Sequence, residues 1–456
     1  MGSNLDRPEF KPRPLDYIEF LTWRTSLTTL GGGAFAFFSV FEGELDEPSV
    51  LHAWLILCLR HPMLGATIQD DLGVPHFVPL PEFPIPQVRT TSSTDVVEEL
   101  LASVGEVEFP PGAPLYQPFA LLNPSTGRHA FLTVINHAGG DGDACIKVHK
   151  EFAEILNTIG SYDENRPAIN RALPPSWCET LLPKQQPWRY VRSGTIELAR
   201  WLHCDLVPFE NPAPFAQRRT RHFVAIADAV STQSLIKRAA EQQGLNAFLS
   251  AALLQAQFSY MADRGLIGNR ARLILTLPMN LRRFAEPNSW ISMGTFPHFA
   301  GVALERNTDL RSASQRVRTA IDTFTGPDAF DRLVNWYSPL LTRMAIELIA
   351  KSNFHFGPYT THLGRLDLAR NDRLRRVTSF GYLQMRHCFS SLQASTRILN
   401  NRLVVAMNYC EPVVSLETAQ GIFREFLSRI EIIPSAVTDN YDDYVRSLLE
   451  GERATA

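Results

Sequence analysis

The sequence predicts an α/β protein built from two subdomains, and three observations support this fold class. The chain has 456 residues, more than the roughly 250–300 over which a single hydrophobic core grows. Hydrophobic residues make up 45% of the chain, which is ample for a buried core. Along the chain, strand-like runs alternate with amphipathic helical segments, as expected for sheets flanked by helices.

In the first half, a strand and a helix follow one another directly. Residues 128–136 (RHAFLTVIN) alternate loosely and are rich in Phe, Leu, Thr, Val and Ile, a composition typical of a strand. From Asp143 onwards the apolar residues recur at three- and four-residue spacings, which predicts an amphipathic helix: Cys145, Val148, Phe152, Ile155 and Leu156. Either Asp141 or Asp143 can cap its N-terminus. The aromatic run AFAFFSVFEG (34–43) is expected to pack as a core strand.

The second half carries the same mixture of elements. An amphipathic stretch over 232–260 predicts two helices, which are separated near residues 244–246 by a break at Gly244. Strand-like runs follow at 271–277 (ARLILTL) and 402–407 (RLVVAM), and a further helix is expected over 417–430.

The region between the halves is rich in proline, with RPAINRALPPSWC, LLPKQQPW and VPFENPAPF inside residues 166–215. Proline fixes φ and removes a backbone donor, so long regular elements are not expected there. The sequence therefore predicts an N-terminal subdomain over 1–165, a crossover linker over 166–214 and a C-terminal subdomain over 215–456.

Charge and composition exclude several classes of function. The net charge of −3 gives no basic surface for nucleic acid. No run reaches the roughly 18 apolar residues of a membrane span, and the first ten residues lack an apolar signal core, so we expect a cytoplasmic protein. The six cysteines form no CxxC pair; free buried thiols are therefore expected, with neither a disulfide framework nor a metal site.

The segment INHAGGDGDA (135–144) lies at the turn between the predicted strand and helix. A dinucleotide-binding fingerprint would need a third glycine, and a phosphate-binding P-loop would need Gly-Lys-Ser/Thr. A GGxGxD calcium repeat would put its Asp at Ala144, and an EF-hand would need other ligand spacings and a final Glu. The pattern that remains is HxxxDG, formed by His137, Asp141 and Gly142.

Two interpretations of this turn follow from the residues alone. Imidazole titrates near neutral pH, so His137 could take a proton from a substrate and return it. Gly139 and Gly140 would let the backbone adopt positive φ and would keep space beside the ring, while Asp141 would fix the turn. In the other interpretation, His137 is a core histidine satisfied by backbone hydrogen bonds and the glycines make a tight turn.

The NHAGGDG segment resembles the HHxxxDG motif of the chloramphenicol acetyltransferase-like superfamily. This superfamily includes peptide-synthetase condensation domains, BAHD acyltransferases, alcohol acetyltransferases and fungal trichothecene acetyltransferases. Its catalytic base, the second His of the motif, corresponds to His137, and Asn136 replaces the first. BAHD members also tolerate loss of that first His, so the replacement tells against peptide condensation more than against acyl transfer.

Four further stretches resemble the family in the same order along the chain. LRHPMLGATIQDD (59–71) is similar to the helix-to-strand segment near its N-terminus, and GLNAFLSAALLQA (244–256) to the helix that opens its second half. LPMNLRRF (277–284) resembles a strand end whose arginine corresponds to Arg282. THLGRLDL (361–368) resembles the "sNlGrl" segment, with His362 at the position of the asparagine.

The resemblance implies two chloramphenicol-acetyltransferase-like subdomains, each a mixed sheet flanked by helices, with a tunnel at their interface. An acyl thioester and a hydroxyl acceptor would meet there at His137. Asp141 would pair with Arg282 across the two halves, and Gly142 would support the motif. The positions implied for the tunnel wall are Asn136, Thr295, Thr361 and His362.

The function that this implies is O-acyl transfer from an acyl-CoA, such as acetyl-CoA, to a hydroxyl of a small secondary metabolite. No GxSxG turn is present, so direct transfer without an acyl-enzyme is expected. Thr295 and Thr361 are the candidate oxyanion donors. For the CoA phosphates the candidates are Arg218, Arg219 and Arg376, in clusters that could equally be solvated surface.

Two other functions stay open at this point. A condensation-type enzyme would take its acyl group from an acyl carrier protein, or would form an amide. A catalytically inert relative would only bind a ligand or a partner, although the presence of His137, Asp141 and Arg282 argues against such decay.

Overall fold

The computed structural model shows an α/β protein in which helices cover two mixed sheets. The described residues are 10–71, 74–158, 172–174, 204–268, 271–280, 282, 297–323, 344, 346–348, 351, 354–355, 357–366, 374–383, 390, 392–434, 436–440, 442–443 and 445–447. The predicted fold class is confirmed for this part of the chain.

The first half contributes four helices and seven strands to the described residues. The helices are α1 (Tyr17–Thr28), α2 (Glu47–Arg60), α3 (Val96–Val104) and α4 (Gly142–Thr158). The strands are β1 (Arg13–Pro14), β2 (Phe35–Gly43), β3 (Ala66–Asp71), β4 (Val74–Pro79), β5 (Gln87–Thr90), β6 (Tyr116–Leu122) and β7 (Arg128–Ile135).

The second half supplies the remaining elements that the structure describes. Its helices are α5 (Ala229–Glu241), α6 (Leu245–Asp263), α7 (Leu310–Thr323) and α8 (Leu416–Arg429). Its strands are β8 (Val207–Pro208), β9 (Arg219–Ile226), β10 (Arg272–Asn280), β11 (Pro297–Glu305), β12 (Phe354–His355), β13 (Tyr359–Leu366), β14 (Leu374–Leu383), β15 (Leu392–Leu399), β16 (Arg402–Glu411) and β17 (Ala436–Thr438).

Both large sheets are mixed. The first has five strands in the order β14-β2-β7-β6-β5, and only the β5–β6 pair is parallel. The second has seven strands in the order β11-β10-β13-β15-β16-β9-β17, with parallel pairing on both sides of β13. Strands β1, β4 and β3 form a small separate sheet, and β8 pairs with β12.

Strand β14 crosses from one half of the chain to the other. It follows β13 in sequence, but it pairs antiparallel with β2 at the edge of the first sheet, with Gly381 opposite Phe37. The predicted division at 1–165, 166–214 and 215–456 remains a prediction. Within its linker, the described strand β8 packs Val207 into the core of the second half.

A hydrophobic core between the two sheets joins the halves. It takes buried side chains from both, among them Phe38 and Leu132 of the first sheet and Val224 and Val404 of the second. Helices α2 and α4 cover the other face of the first sheet, and α6 and α8 cover that of the second. The seam between the halves is therefore lined by sheet faces and by helix α3.

The locally predicted elements lie close to their expected positions. Strand β7 covers 128–135, and the aromatic run forms the buried strand β2. Helices α5 and α6 are separated at Gln243 and Gly244, which both have positive φ. A left-handed backbone ends the first helix and is least costly at glycine.

Three further features concern the cysteines, the possible metal ligands and the lengths of the helices. Four cysteines in the described part are buried thiols, namely Cys58, Cys145, Cys204 and Cys410. Among the residues that the structure describes, no group of His, Cys, Asp or Glu has the arrangement of a metal site. None of the described helices has the length and apolar character needed to cross a membrane.

Candidate functional site

The predicted motif occupies the turn between strand β7 and helix α4. Asn136, directly after the strand, is buried and accepts a hydrogen bond from the backbone N–H of Ala138 through its side-chain oxygen, at 3.1 Å. Asp141 caps the helix, because its Oδ1 accepts from the backbone N–H of Ala144 at 3.2 Å. Of the two capping residues considered from sequence, Asp141 fills the role. Asn136 thus shapes the turn through an Asx-type hydrogen bond.

The expected reason for the motif glycines is wrong. Gly139 and Gly140 are not among the positive-φ residues, and their missing side chains do not leave open space. A Cβ on Gly140 would lie 2.2 Å from Tyr116 Oη, and one on Gly139 would lie 3.0 Å from Leu115 Cβ. Tyr116 is fully buried and donates its hydroxyl hydrogen to the Gly139 carbonyl at 3.0 Å. The glycines are needed because this ring already fills the space.

His137 is half-buried at the start of the turn. Its ring lies 6.2 Å from the ring of Phe35, centroid to centroid, and its Nδ1 is buried beside the backbone. Burial lowers the pKa of His137, and this outweighs the raising effects of Asp141 and of the backbone groups of His137 and Gly140. The imidazole is therefore held in its neutral form near neutral pH, the state that can accept a proton.

His149 on helix α4 shows what a structural histidine looks like in this chain. It is fully buried, and its two ring nitrogens lie 2.9 Å from the hydroxyls of Ser39 and Thr133. Both nitrogens are thus used by the core. His137 differs because the residue as a whole is only partly buried.

An ion pair joins the motif to the second half. Arg282, just beyond strand β10, binds Asp141 through Nη1 and Oδ2, as the resemblance implies. The two side chains are only 14% and 10% exposed. Burial disfavours the charged guanidinium, but the attraction of Asp141 prevails and raises the pKa of Arg282. The guanidinium of Arg282 is therefore held charged in a poorly hydrated place.

Two further contacts connect the same edges. Asn280 donates a side-chain hydrogen bond to Asp143, two residues after Asp141. On strand β13, Leu363 approaches the start of helix α4, since a Cβ on Gly142 would lie 3.3 Å from Leu363 Cδ2. The absence of a side chain at Gly142 thus allows the second half to come close to the motif.

The two faces of strand β13 have different surroundings. On the helix-covered face, the hydroxyls of Thr360 and of Ser250 on α6 are hydrogen-bonded at 3.0 Å. On the same face, His362 Nδ1 lies 2.9 Å from Thr396 Oγ1. Thr361 alternates to the other face, which it shares with Leu363. The structure therefore brings Thr361 towards the seam with the motif and does not bring His362 there.

A chain of polar side chains leads along that face of the second sheet. Asn408 Nδ2 donates to Gln393 Oε1, and Gln393 Nε2 donates to Thr361 Oγ1, both at 3.2 Å. The Thr361 hydroxyl in turn lowers the pKa of Tyr359 on the same strand, although burial raises that pKa overall. Gln393 and Asn408 are buried, 2% and 0% exposed. Buried polar groups that are bonded in series fix each other's orientation.

The candidate phosphate-binding arginines have different environments. Arg218 is buried; its guanidinium carbon lies 4.2 Å from the Phe215 ring centre and 4.9 Å from that of Phe209, and Nε donates to the Ala213 carbonyl. Packing thus occupies Arg218, so it is not placed to meet a phosphate. Arg219 is exposed. Arg376 belongs to strand β14, where it lies opposite Phe41 of β2. Its side chain is outside the part that the structure describes.

Thr295 also lies outside the described residues. The residues that sequence reasoning missed are Tyr116, Asn280, Tyr359, Gln393 and Asn408. Each lies on a strand, and for all except Tyr359 the contact described above is with a residue distant in sequence. Of these five residues, only Asn280 could have been found from the sequence. It belongs to the LPMN segment before Arg282, a strand end that the resemblance had already identified.

Comparison with known proteins identifies the fold. No protein-family model and no curated protein matches the chain by sequence. Among solved structures, the chain is similar to the trichothecene 15-O-acetyltransferase TRI3 from Fusarium sporotrichioides, with a TM-score of 0.72 and 13% identity. The match covers 94% of this chain and 96% of that one.

Two other structures give matches of similar extent. The first condensation domain of the calcium-dependent antibiotic synthetase has a TM-score of 0.68 and 13% identity, covering 94% of this chain and 98% of that one. SgcC5 from Streptomyces globisporus has a TM-score of 0.64 and 15% identity, covering 92% and 98%. The chain therefore has the chloramphenicol acetyltransferase-like, condensation-type fold, and at these identities the likeness concerns the fold.

Proposed function

We propose that this chain is an acyl-CoA-dependent O-acyltransferase in which His137 is the general base. The observation that carries the proposal is the Asp141–Arg282 ion pair, which fixes the His137 turn against the second half. A histidine kept neutral by burial beside such a seam suits proton transfer between two substrates that approach from different sides. The fold is one that acyltransferases use.

The proposed reaction is a direct transfer. His137 Nε2 takes the proton of the acceptor hydroxyl while the hydroxyl oxygen attacks the carbonyl carbon of the thioester. The tetrahedral intermediate then collapses, the C–S bond breaks, and the departing thiolate takes the proton back from His137. The products are an ester and free CoA, and the base is restored for the next cycle.

Asp141 does not act on the substrate in this proposal. Its carboxylate caps helix α4 with one oxygen and pairs with Arg282 through the other. The first contact lies within the turn at the start of the helix, and the second crosses the seam between the two halves. Asp141 and Arg282 are therefore assigned a structural role, and Gly142 permits the close approach of Leu363.

A small hydroxylated acceptor and a CoA thioester are the proposed substrates. The trichothecene enzyme is, by its name, an acetyltransferase that acts on oxygen, and the SgcC5 structure holds a naphthyl ethanediol. Both of these similar proteins are thus associated, by name or by bound compound, with molecules that carry hydroxyl groups. Arg219 remains the described candidate for a phosphate contact, because it is exposed at the start of strand β9.

The function is tested by following free thiol with acetyl-CoA and longer acyl-CoAs against a panel of hydroxylated terpenoids and polyketides. The proposal predicts thiol release that depends on the acceptor, with an ester as product. Turnover only with an acylated carrier protein, or an amide product, would favour the condensation-type alternative. Binding without turnover for every donor would indicate an inert relative.

A further inference from the structure

The turn that carries His137 is anchored at both ends by two consecutive residues, Leu115 and Tyr116, where strand β6 begins. A hydrogen bond of 2.8 Å from the Gly139 N–H to the Asn136 carbonyl closes this tight turn, and His137 occupies its second position. The N–H of Asn136 donates to the Leu115 carbonyl at 2.9 Å. The hydroxyl of Tyr116 donates to the Gly139 carbonyl at 3.0 Å. The first and last residues of the turn are therefore both bound to the neighbouring strand.

Tyr116 also encloses the turn sterically. A Cβ on Gly139 would lie 3.3 Å from Cε2 of its ring, and one on Gly140 would lie 2.2 Å from its hydroxyl oxygen. Burial raises the pKa of Tyr116 well above its usual value, so the hydroxyl keeps the hydrogen that it donates. The backbone of Gly140 in turn acts on the imidazole, because it raises the pKa of His137. Tyr116 thus fixes backbone groups that the base itself contacts.

Phe35 on strand β2 approaches the turn from the other side. Phe35 and Tyr116 both lie opposite Ile135, one on each neighbouring strand, and all three side chains belong to the core on the helix-covered face of the sheet. The Phe35 ring lies 6.2 Å from the imidazole, centroid to centroid. Packing against Phe35 restricts the volume that the imidazole occupies, whereas the directional hydrogen bond from Tyr116 fixes the backbone from which it extends.

We propose that Tyr116 is a positioning residue, which holds His137 in line with the two substrates by fixing the backbone of its turn. This inference rests on the proposed acyl transfer. A general base must lie within hydrogen-bond reach of the proton that it removes, and a displacement of about 1 Å is enough to cost roughly 10² in rate. The hydroxyl of Tyr116 does not contact the substrates in this role. It acts through Gly139 and Gly140.

The test compares wild type with Tyr116→Phe, which removes the hydroxyl and keeps the ring. In the acyl-CoA assay, kcat is expected to fall by about 10–10²-fold with KM nearly unchanged, because the substrates bind as before and only the base is displaced. The midpoint of the acidic limb of kcat/KM should rise towards 6.5, since a loosened turn admits water to an imidazole whose pKa is lowered by burial.

A spectroscopic measurement gives a readout that does not depend on turnover. In protein with isotope-labelled histidine, nitrogen NMR reports the tautomer and the titration of His137, whose resonances are identified by their loss in His137→Gln. The proposal predicts one dominant tautomer and a lowered pKa in wild type. In Tyr116→Phe it predicts ring-nitrogen shifts averaged between tautomers and a higher pKa.

Tyr260→Phe in helix α6 is the matched control. Like Tyr116, Tyr260 packs against a glycine, here Gly421, and its hydroxyl donates to a backbone carbonyl, that of Glu417 at 3.3 Å. The melting temperature should fall by a similar amount in both variants. Tyr260→Phe should nevertheless keep the kcat, the pH midpoint and the His137 resonances of wild type.

Three outcomes separate this role from the proposed function. If Tyr116→Phe keeps the kcat, pH midpoint and His137 resonances of wild type while His137→Gln is inactive, the role of Tyr116 is wrong and acyl transfer stands. An equal loss of kcat in Tyr260→Phe would also overturn the role, because it would show a general effect of lower stability. If the wild type turns over no acyl donor, the proposed function fails, and the resonances still decide whether Tyr116 holds the imidazole in place.

Discussion

Arg282, just beyond strand β10, binds Asp141 at the start of helix α4 and so ties the two halves of the chain together beside His137. A buried pair of this kind adds little net stability when intact, because desolvation offsets the attraction. Removing one partner strands the other charge. The contact is therefore sensitive to mutation even though it is a weak source of stability.

Asp141→Ala should destabilise the fold and impair turnover together. Loss of one partner of a buried pair costs about 3–5 kcal/mol in the free energy of unfolding, measured by urea denaturation. The exposed pair Arg318–Asp322 within helix α7 is the matched control, and Arg318→Ala should cost only about 0.3–0.5 kcal/mol. A fall in rate with unchanged stability would contradict the structural role of Asp141.

The pH dependence of kcat/KM should report the neutral state of His137. Burial lowers its pKa below the usual 6.5, so the base becomes protonated, and activity is lost, only as the pH falls through that lowered value. The acidic limb should thus have its midpoint below 6.5. The profile of His52→Gln, which changes an exposed histidine, should be the same. A midpoint above 6.5 would contradict the buried environment.

Gly140→Ala tests the packing of Tyr116 against the motif. The new methyl would meet Tyr116 Oη at 2.2 Å, and overpacking of this kind costs roughly 1–3 kcal/mol. Both the melting temperature and the rate should fall. Gly268→Ala, where a Cβ has no neighbour within 4 Å, is the control.

A second variant shows whether the hydroxyl of Tyr116 causes that effect. In a Tyr116→Phe background, the nearest ring atom to the new methyl would be 3.3 Å away. Gly140→Ala should then cost less than in the wild type, as measured by the difference in free energy of unfolding. An equal cost in both backgrounds would show that backbone conformation, and not this contact, requires the glycine.

Asp442 gives a pH-dependent contribution to stability. It is fully buried and caps helix α3 by accepting from the N–H groups of Val97 and Glu98 at 3.0 and 3.1 Å. Burial, with the charges of Asp95 and Glu98, outweighs these hydrogen bonds and raises its pKa from 3.8 to about 6. The folded state therefore binds a proton that the unfolded state releases between about pH 4 and 6.

The sign follows from this difference in proton binding. The contribution of Asp442 to stability is fully present below the unfolded pKa of 3.8 and is lost as the pH rises through about 6. A shift of this size corresponds to roughly 3 kcal/mol. Relative to Asp442→Asn, the wild type should lose about that much between pH 4 and 7; a difference that does not vary with pH would contradict it.

Sequence reasoning succeeded where the determinants are local. Strand β7, the cap at Asp141 and the break at Gly244 follow from residues that are neighbours in the chain. The pairing of Asp141 with Arg282 came from a resemblance to a family, since nothing in either segment alone indicates the other.

What the sequence missed depends on distant partners. The space beside Gly140 is filled by Tyr116 from strand β6, Arg218 is enclosed by aromatic rings, and strand β14 leaves its own half to pair with β2. Such arrangements are set by packing between segments, which periodicity and composition do not encode. The polar chain that ends at Tyr359 belongs to the same class.

The most direct test of the account is the rate of CoA release by His137→Gln, with His52→Gln as the control. The account predicts that kcat/KM falls by at least about 10² in His137→Gln, because a positioned general base is lost, while the melting temperature stays near that of wild type. A rate within a few-fold of wild type in this variant would contradict the assignment of His137 as the base.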